Sequence, residues 1–139
     1  MSFKPGDISL FSRYQFTDTG ESAKHFGLVL LPEEATKYKN SLLCCVITSR
    51  NPKHWAFLLD CKKYRCFNCN SFACFNRKDL VAKTGLAKGL QPKDKLDRDD
   101  FKKAFKILKT SLFVIKDIAS DPFLRGTIIF EWKQSLKNI

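Results

Sequence analysis

Histidine is the side chain whose unperturbed proton equilibrium lies near neutral pH, and this chain of 139 residues has only two, His25 and His54. His25 stands between Lys24 and Phe26, where a polar stretch enters the apolar run Gly27 to Leu31. An ammonium beside an imidazole lowers its pKa toward a value suited to proton transfer, the work of a general acid or base. The same position also suits a half-buried loop histidine with no chemistry to do. His54, next to Trp55 in the turn after Pro52, reads as a surface residue whose aromatic neighbour is available for base stacking.

Of the six cysteines, Cys61, Cys66, Cys69 and Cys74 are spaced C-x4-C-x2-C-x4-C, and four thiolates can in principle hold a tetrahedral zinc. Structural zinc sites more often use two short pairs separated by a longer span. Cys74 also falls in an alternating strand, where a free thiol packs as a small hydrophobe. Zinc is therefore the weaker reading, and Cys44 and Cys45 read as core. No glycine-rich phosphate loop, nucleophile elbow or paired-histidine metal motif occurs, so neither metal nor cofactor is expected.

Charge is the third chemical feature. Lys and Arg total 25 against 14 Asp and Glu, a net charge of +11. Between Asn51 and Arg98 eleven basic residues face four acidic ones. Lys62, Lys63 and Arg65 are interleaved with Tyr64 and Phe67, a mixture that neutralises phosphates and stacks on bases. A solvated basic face is the plainer interpretation of the same residues. The apolar runs Leu28 to Leu31, Leu42 to Ile47 and Leu112 to Ile115 are strand-sized, far below the ~20 residues of a membrane span. The segment from Met1 to Asp7 lacks the apolar run of a signal peptide, which predicts a cytoplasmic protein with reduced cysteines and no membrane partner.

The elements that must position these residues follow from pattern. At 44% apolar content the chain carries one ordinary core and reads as a single domain, residues 1–139. Asp7 to Phe11 alternates as a half-buried strand after the Pro5-Gly6 turn, and Phe16 to Ser22 is a polar loop. Gly27 to Leu31 and Ser41 to Ser49 read as strands buried on both faces. Trp55 to Asp60 and Ser71 to Phe75 read as two more, and Lys78 to Val81 leads through Gly85 and Gly89 into a polar stretch. A helix capped by Asp97 or Asp99 then buries Phe101, Ala104, Phe105, Leu108, Leu112 and Ile115. A second begins at Ser120-Asp121-Pro122, with Leu124, Ile128, Trp132 and Leu136 on one face. The predicted class is α+β, a small β-barrel closed by C-terminal helices.

The order of these elements resembles the PemK/MazF family of toxins, small endoribonucleases of toxin–antitoxin pairs. The residues that carry the resemblance are Lys4-Pro5-Gly6-Asp7-Ile8, the Gly27-Leu-Val-Leu-Leu strand, Val46-Ile47-Thr48-Ser49, and the stretch Ser71 to Val81 before a Leu-rich helix. It spans roughly residues 3 to 116, leaving residues 120–139 as a helical extension. The resemblance implies an SH3-like barrel, a homodimer, an acidic antitoxin partner, and metal-independent cleavage of single-stranded RNA. It also implies a cation beside the scissile phosphate and a hydroxyl at the end of the third strand, for which Thr48 stands. Where the family usually has Arg-Pro, this chain has His25-Phe26, so His25 takes the catalytic position as acid or base. Lys24, Ser49, Arg50, Arg77 and Lys78 are the implied phosphate contacts, and Asn76 a further RNA contact. The same departure equally fits a barrel that has lost catalysis and binds nucleic acid or a protein partner.

Overall fold

A computed structural model describes residues 3–88 and 91–139; Gly89, expected in the polar connector, lies outside them. Seven strands form one antiparallel sheet: β1 (Asp7–Gln15), β2 (Ser22–Leu31), β3 (Ser41–Thr48), β4 (Ala56–Leu59), β5 (Ser71–Cys74), β6 (Asp79–Ala82) and β7 (Asp94–Lys95). Among the described residues two α-helices follow, α1 (Arg98–Val114) and α2 (Pro122–Lys137). The strand order is β4-β5-β3-β2-β1-β7, with β6 also paired to β3. The first half of β3 pairs with β6 and its last two residues with β5. The class is thus α+β, a curled half-barrel of antiparallel strands with two C-terminal helices.

The curl has a local cause. After β6 the chain turns through Lys83–Gly85 and returns to β1, where Leu86 bridges Phe11 and the Ala87 N–H donates to the Leu10 carbonyl at 3.0 Å. Gly85 makes the return possible, because a Cβ there would lie 2.2 Å from the Arg13 carbonyl oxygen. Alternation along the strands sorts side chains into two cores. The inner one, inside the curl, holds Phe11, Tyr14, Val29, Leu42, Cys44, Val46 and Val81. The outer one holds Leu28, Leu43, Cys45 and Ile47 against the helices.

Both helix starts follow the sequence signals. The Asp97 carboxylate accepts the Asp100 N–H at 2.9 Å, and Asp121 accepts the Phe123 N–H at 3.0 Å with Pro122 behind it. Helix α1 buries Phe101, Ala104, Phe105, Leu108 and Leu112 but stops at Val114, so Ile115 is its cap rather than its last core residue. Strands β1 and β2 are longer than their apolar runs. The polar residues Ser22 to Lys24 stay exposed while pairing with the end of β1, so hairpin pairing extends the strands beyond their buried parts. His25 consequently lies within a strand, opposite Phe11, and not in a loop.

Helix α2 is built into the outer core. Leu124, Ile128 and Trp132 are fully buried there, and the Trp132 ring stacks on Phe101 at 4.3 Å. A bulge between Val29 and Leu31 leaves Leu30 without a partner on β3. The Trp132 indole N–H donates to that Leu30 carbonyl at 2.9 Å, satisfying both buried groups. Trp132→Ala should therefore cost about 3–5 kcal/mol, read as a lower urea midpoint at unchanged slope. A loss below about 1 kcal/mol would mean that α2 is not part of the core.

Candidate functional site

The site is set by strand register. The β2–β3 ladder ends at the pair Phe26–Ile47, and His25 and Thr48 are the next residues past it, with Lys24 and Ser49 one step further out. The Phe26 ring packs on Phe67 in the outer core at 4.8 Å, whereas the His25 ring turns the other way, to Phe16 at 5.5 Å and Tyr14 at 6.3 Å. By the same alternation His25 and Thr48 share one face of the sheet, and Lys24 and Ser49 share the other. Thr48 in turn pairs with Phe72, and Phe72 with Leu58. The result is a cross-strand row, His25–Thr48–Phe72–Leu58, beyond the sealed part of the inner core. Leu58 is 48% exposed.

Lys24, His25, Thr48 and Ser49 also line one cleft, of about 350 Å³, whose far wall is the loop Cys66 to Cys69. Lys24 and Arg50 are exposed and form no ion pair among the described residues. The Arg50 N–H donates to Thr48 Oγ1 at 3.2 Å, an arrangement that leaves the hydroxyl proton free for another acceptor.

Asn76, Arg77 and Lys78 lie elsewhere, on a second cleft of about 280 Å³ with Thr17, Asp18, Lys116 and Asp117. Asn76 is exposed. Arg77 is partly exposed; its guanidinium lies 3.4 Å from Asp18 and 4.1 Å above the Phe16 ring. Since Phe16 also touches His25, Arg77 and His25 are joined through one aromatic ring. Lys78 departs from its expected role as a phosphate contact: its side chain is 0% exposed, with Nζ 3.4 Å from Asp117. A sealed ammonium does not reach a phosphate in solvent. Burial pushes its pKa down, against the pull of Asp117.

The four spaced cysteines are not gathered. Strand alternation sends Cys74 into the inner core, while Cys61 and Cys66 pack against the outer core and Cys69 is exposed. Among the described residues no three His, Cys, Asp or Glu side chains converge on a metal position. No helix of the described residues is long and apolar enough to cross a membrane. The basic surplus is partly spent within the fold, Lys63 on Asp97 and Asp100 and Lys83 on Glu33. Phe72 and Leu58 are the site neighbours that composition hides, since each sits in an apolar run that reads as core. Two consecutive leucines in a short strand were the available signal, because Leu58 and Leu59 must point to opposite faces.

Burial, and then the charge of Arg77, hold the His25 imidazole below its ordinary pKa of 6.5. His25 should titrate below 6.5 by NMR, and Arg77→Ala should move it upward. Because the folded value is depressed, the associated stability is present above 6.5 and is lost as pH falls through the folded value. For the buried pair, Asp117→Ala should destabilise by about 3–5 kcal/mol because it strands a buried ammonium, whereas Lys78→Met should be nearly neutral. Equal losses from both, measured by urea denaturation, would contradict this account. No protein-family model matches the chain, and no curated protein is significantly similar to it.

Proposed function

We propose that the chain is a metal-independent endoribonuclease of PemK/MazF type that cuts single-stranded RNA at the His25–Thr48 pair. The observation that carries this reading is that His25 and Thr48 directly follow the last paired residues of β2 and β3, Phe26 and Ile47, and line one cleft. An imidazole held neutral at physiological pH accepts the proton of an RNA 2′-hydroxyl. The resulting oxyanion attacks the adjacent phosphorus, the bond to the 5′ oxygen breaks, and that oxygen takes up a proton. The Thr48 hydroxyl donates to a non-bridging phosphate oxygen as charge builds there. Lys24, Ser49 and Arg50 hold phosphates on either side, and Phe72 offers a ring on which a base stacks. Asn76 and Arg77 contact the strand further along.

The return of Leu86 to Phe11 supports reading the curled sheet as an SH3-like barrel. A homodimer and an acidic antitoxin segment over the basic face accompany this reading. The second reading is a barrel that binds RNA or a protein without cutting it. What favours it is Phe26, which fills the position after His25 with a ring committed to Phe67 and not with the family's proline.

The test is a long single-stranded RNA incubated with the protein in EDTA. Cleavage should persist in EDTA, rise with pH as His25 deprotonates, and fall by roughly 10²–10⁴-fold in His25→Ala and in Thr48→Ala. Binding without cleavage would select the second reading. Neither binding nor cleavage would discard both.

A further inference from the structure

The six cysteines fall into two chemical groups. Cys44, Cys45 and Cys74 are buried in strands, and burial pushes their thiols up, Cys74 to about 11. Their burial shields them from oxidants. The other three belong to the loop between β4 and β5. Within it Cys66 and Cys69 stand three residues apart, with a bend at Asn68 and Cys69 between them and β5. Both face the cleft that also contains Lys24 and Ser49; Cys69 is exposed and Cys66 half-buried. Cys61 is not part of that cleft.

The loop is pinned around this pair. The Tyr64 hydroxyl donates to Asp100 at 2.5 Å, and the Phe67 ring sits on Phe26 at 4.8 Å. Beyond the pair, Asn70 Oδ1 accepts the Cys61 N–H at 3.0 Å. These anchors hold the backbone on both sides, so the two sulfurs are confined to a short stretch with few alternative partners. A stretch of this length closes a disulfide at little entropic cost.

We propose that Cys66 and Cys69 form a redox-active dithiol on the far wall of the cleft, oxidised by hydroperoxides to an intrachain disulfide. The exposed Cys69 thiolate attacks the terminal peroxide oxygen; the O–O bond breaks, and Cys69 sulfenic acid and an alcohol (or water) are formed. The Cys66 sulfur then attacks the Cys69 sulfur, the S–O bond breaks, and the hydroxyl leaves as water with the Cys66 proton. Two thiols are oxidised and one peroxide is reduced, and a dithiol reductant returns the disulfide to two thiols while itself becoming a disulfide. Cys66 keeps its proton until that second step, because burial holds its thiol at about 11. Closing the bond reshapes the wall of the cleft, which Asn68 also lines. Coupling of this change to RNA affinity rests on the proposed function above.

Full-length protein treated with one equivalent of hydrogen peroxide, alkylated and digested with trypsin tests the chemistry. The peptide Cys66 to Arg77 should appear two hydrogens lighter, with Cys74 alkylated and Cys61 alkylated on a separate peptide. In Cys66→Ser the Cys69 sulfenic acid should persist and be trapped by dimedone, whereas Cys61→Ser should behave as wild type. A disulfide through Cys61 or between chains, or over-oxidation of Cys69 without a disulfide, would overturn the proposal. In the second arm, reduced and oxidised protein are compared for binding of a single-stranded oligoribonucleotide, and oxidation should weaken it at least threefold. Equal affinity of the two forms would overturn the coupling. Absence of binding by either form would instead count against the RNA reading, with the dithiol chemistry judged by mass alone.

Discussion

Strand β3 is the constraint on which the other elements depend. Its residues Leu42 to Ile47 are buried on both faces, so every backbone group there needs a protein partner and every side chain an apolar neighbour. One edge is satisfied by β2, and the other is divided between β6 and β5. Its two faces then demand two separate cores, which the sheet supplies by curling on one side and the helices by packing on the other. Thr48 is where this buried strand runs out. A hydroxyl at that point is held by a rigid ladder yet half open to solvent, which is the property a functional group needs.

Two adjacent cations show how finely the surroundings divide labour. Lys78 turns toward the helix layer, where the Asp117 carboxylate meets its ammonium and its backbone N–H and also accepts the Ala119 N–H. One carboxylate thereby fastens β6 to the connection between α1 and α2. Arg77 turns the opposite way and stacks on Phe16, and its charge acts across space on the His25 imidazole. Asp79, fully buried, completes the support by accepting from the Tyr14 hydroxyl and the Thr17 N–H, both at 2.8 Å. The imidazole pKa is therefore lowered first by burial and then by Arg77, fifty-two positions on in sequence.

Local signals made much of the architecture legible. Apolar runs located β2, β3 and β5, and aspartates followed by helical periodicity located both helices. What escaped was everything set by pairing. The polar first half of β2 gave no strand pattern, and its partner β1 alone defines it. The two residues of β7 are too few to carry a period. For the site, spacing alone favoured a plain loop histidine at His25, and the resemblance singled out both His25 and Thr48; that the two line one cleft is a matter of strand pairing. Lys78 looked like a surface cation because nothing near it in sequence announces Asp117, thirty-nine residues on.

The bond between Trp132 and Leu30 joins residues 102 positions apart. On the ribosome, β2 and its bulge emerge well before α2. Until α2 docks, the Leu30 carbonyl and the outer-core face of β2 lack the cover that Trp132 gives them. Completion of the outer core therefore waits for α2, and a chain interrupted before Pro122 would leave uncovered the apolar surface that Leu124, Ile128 and Trp132 seal.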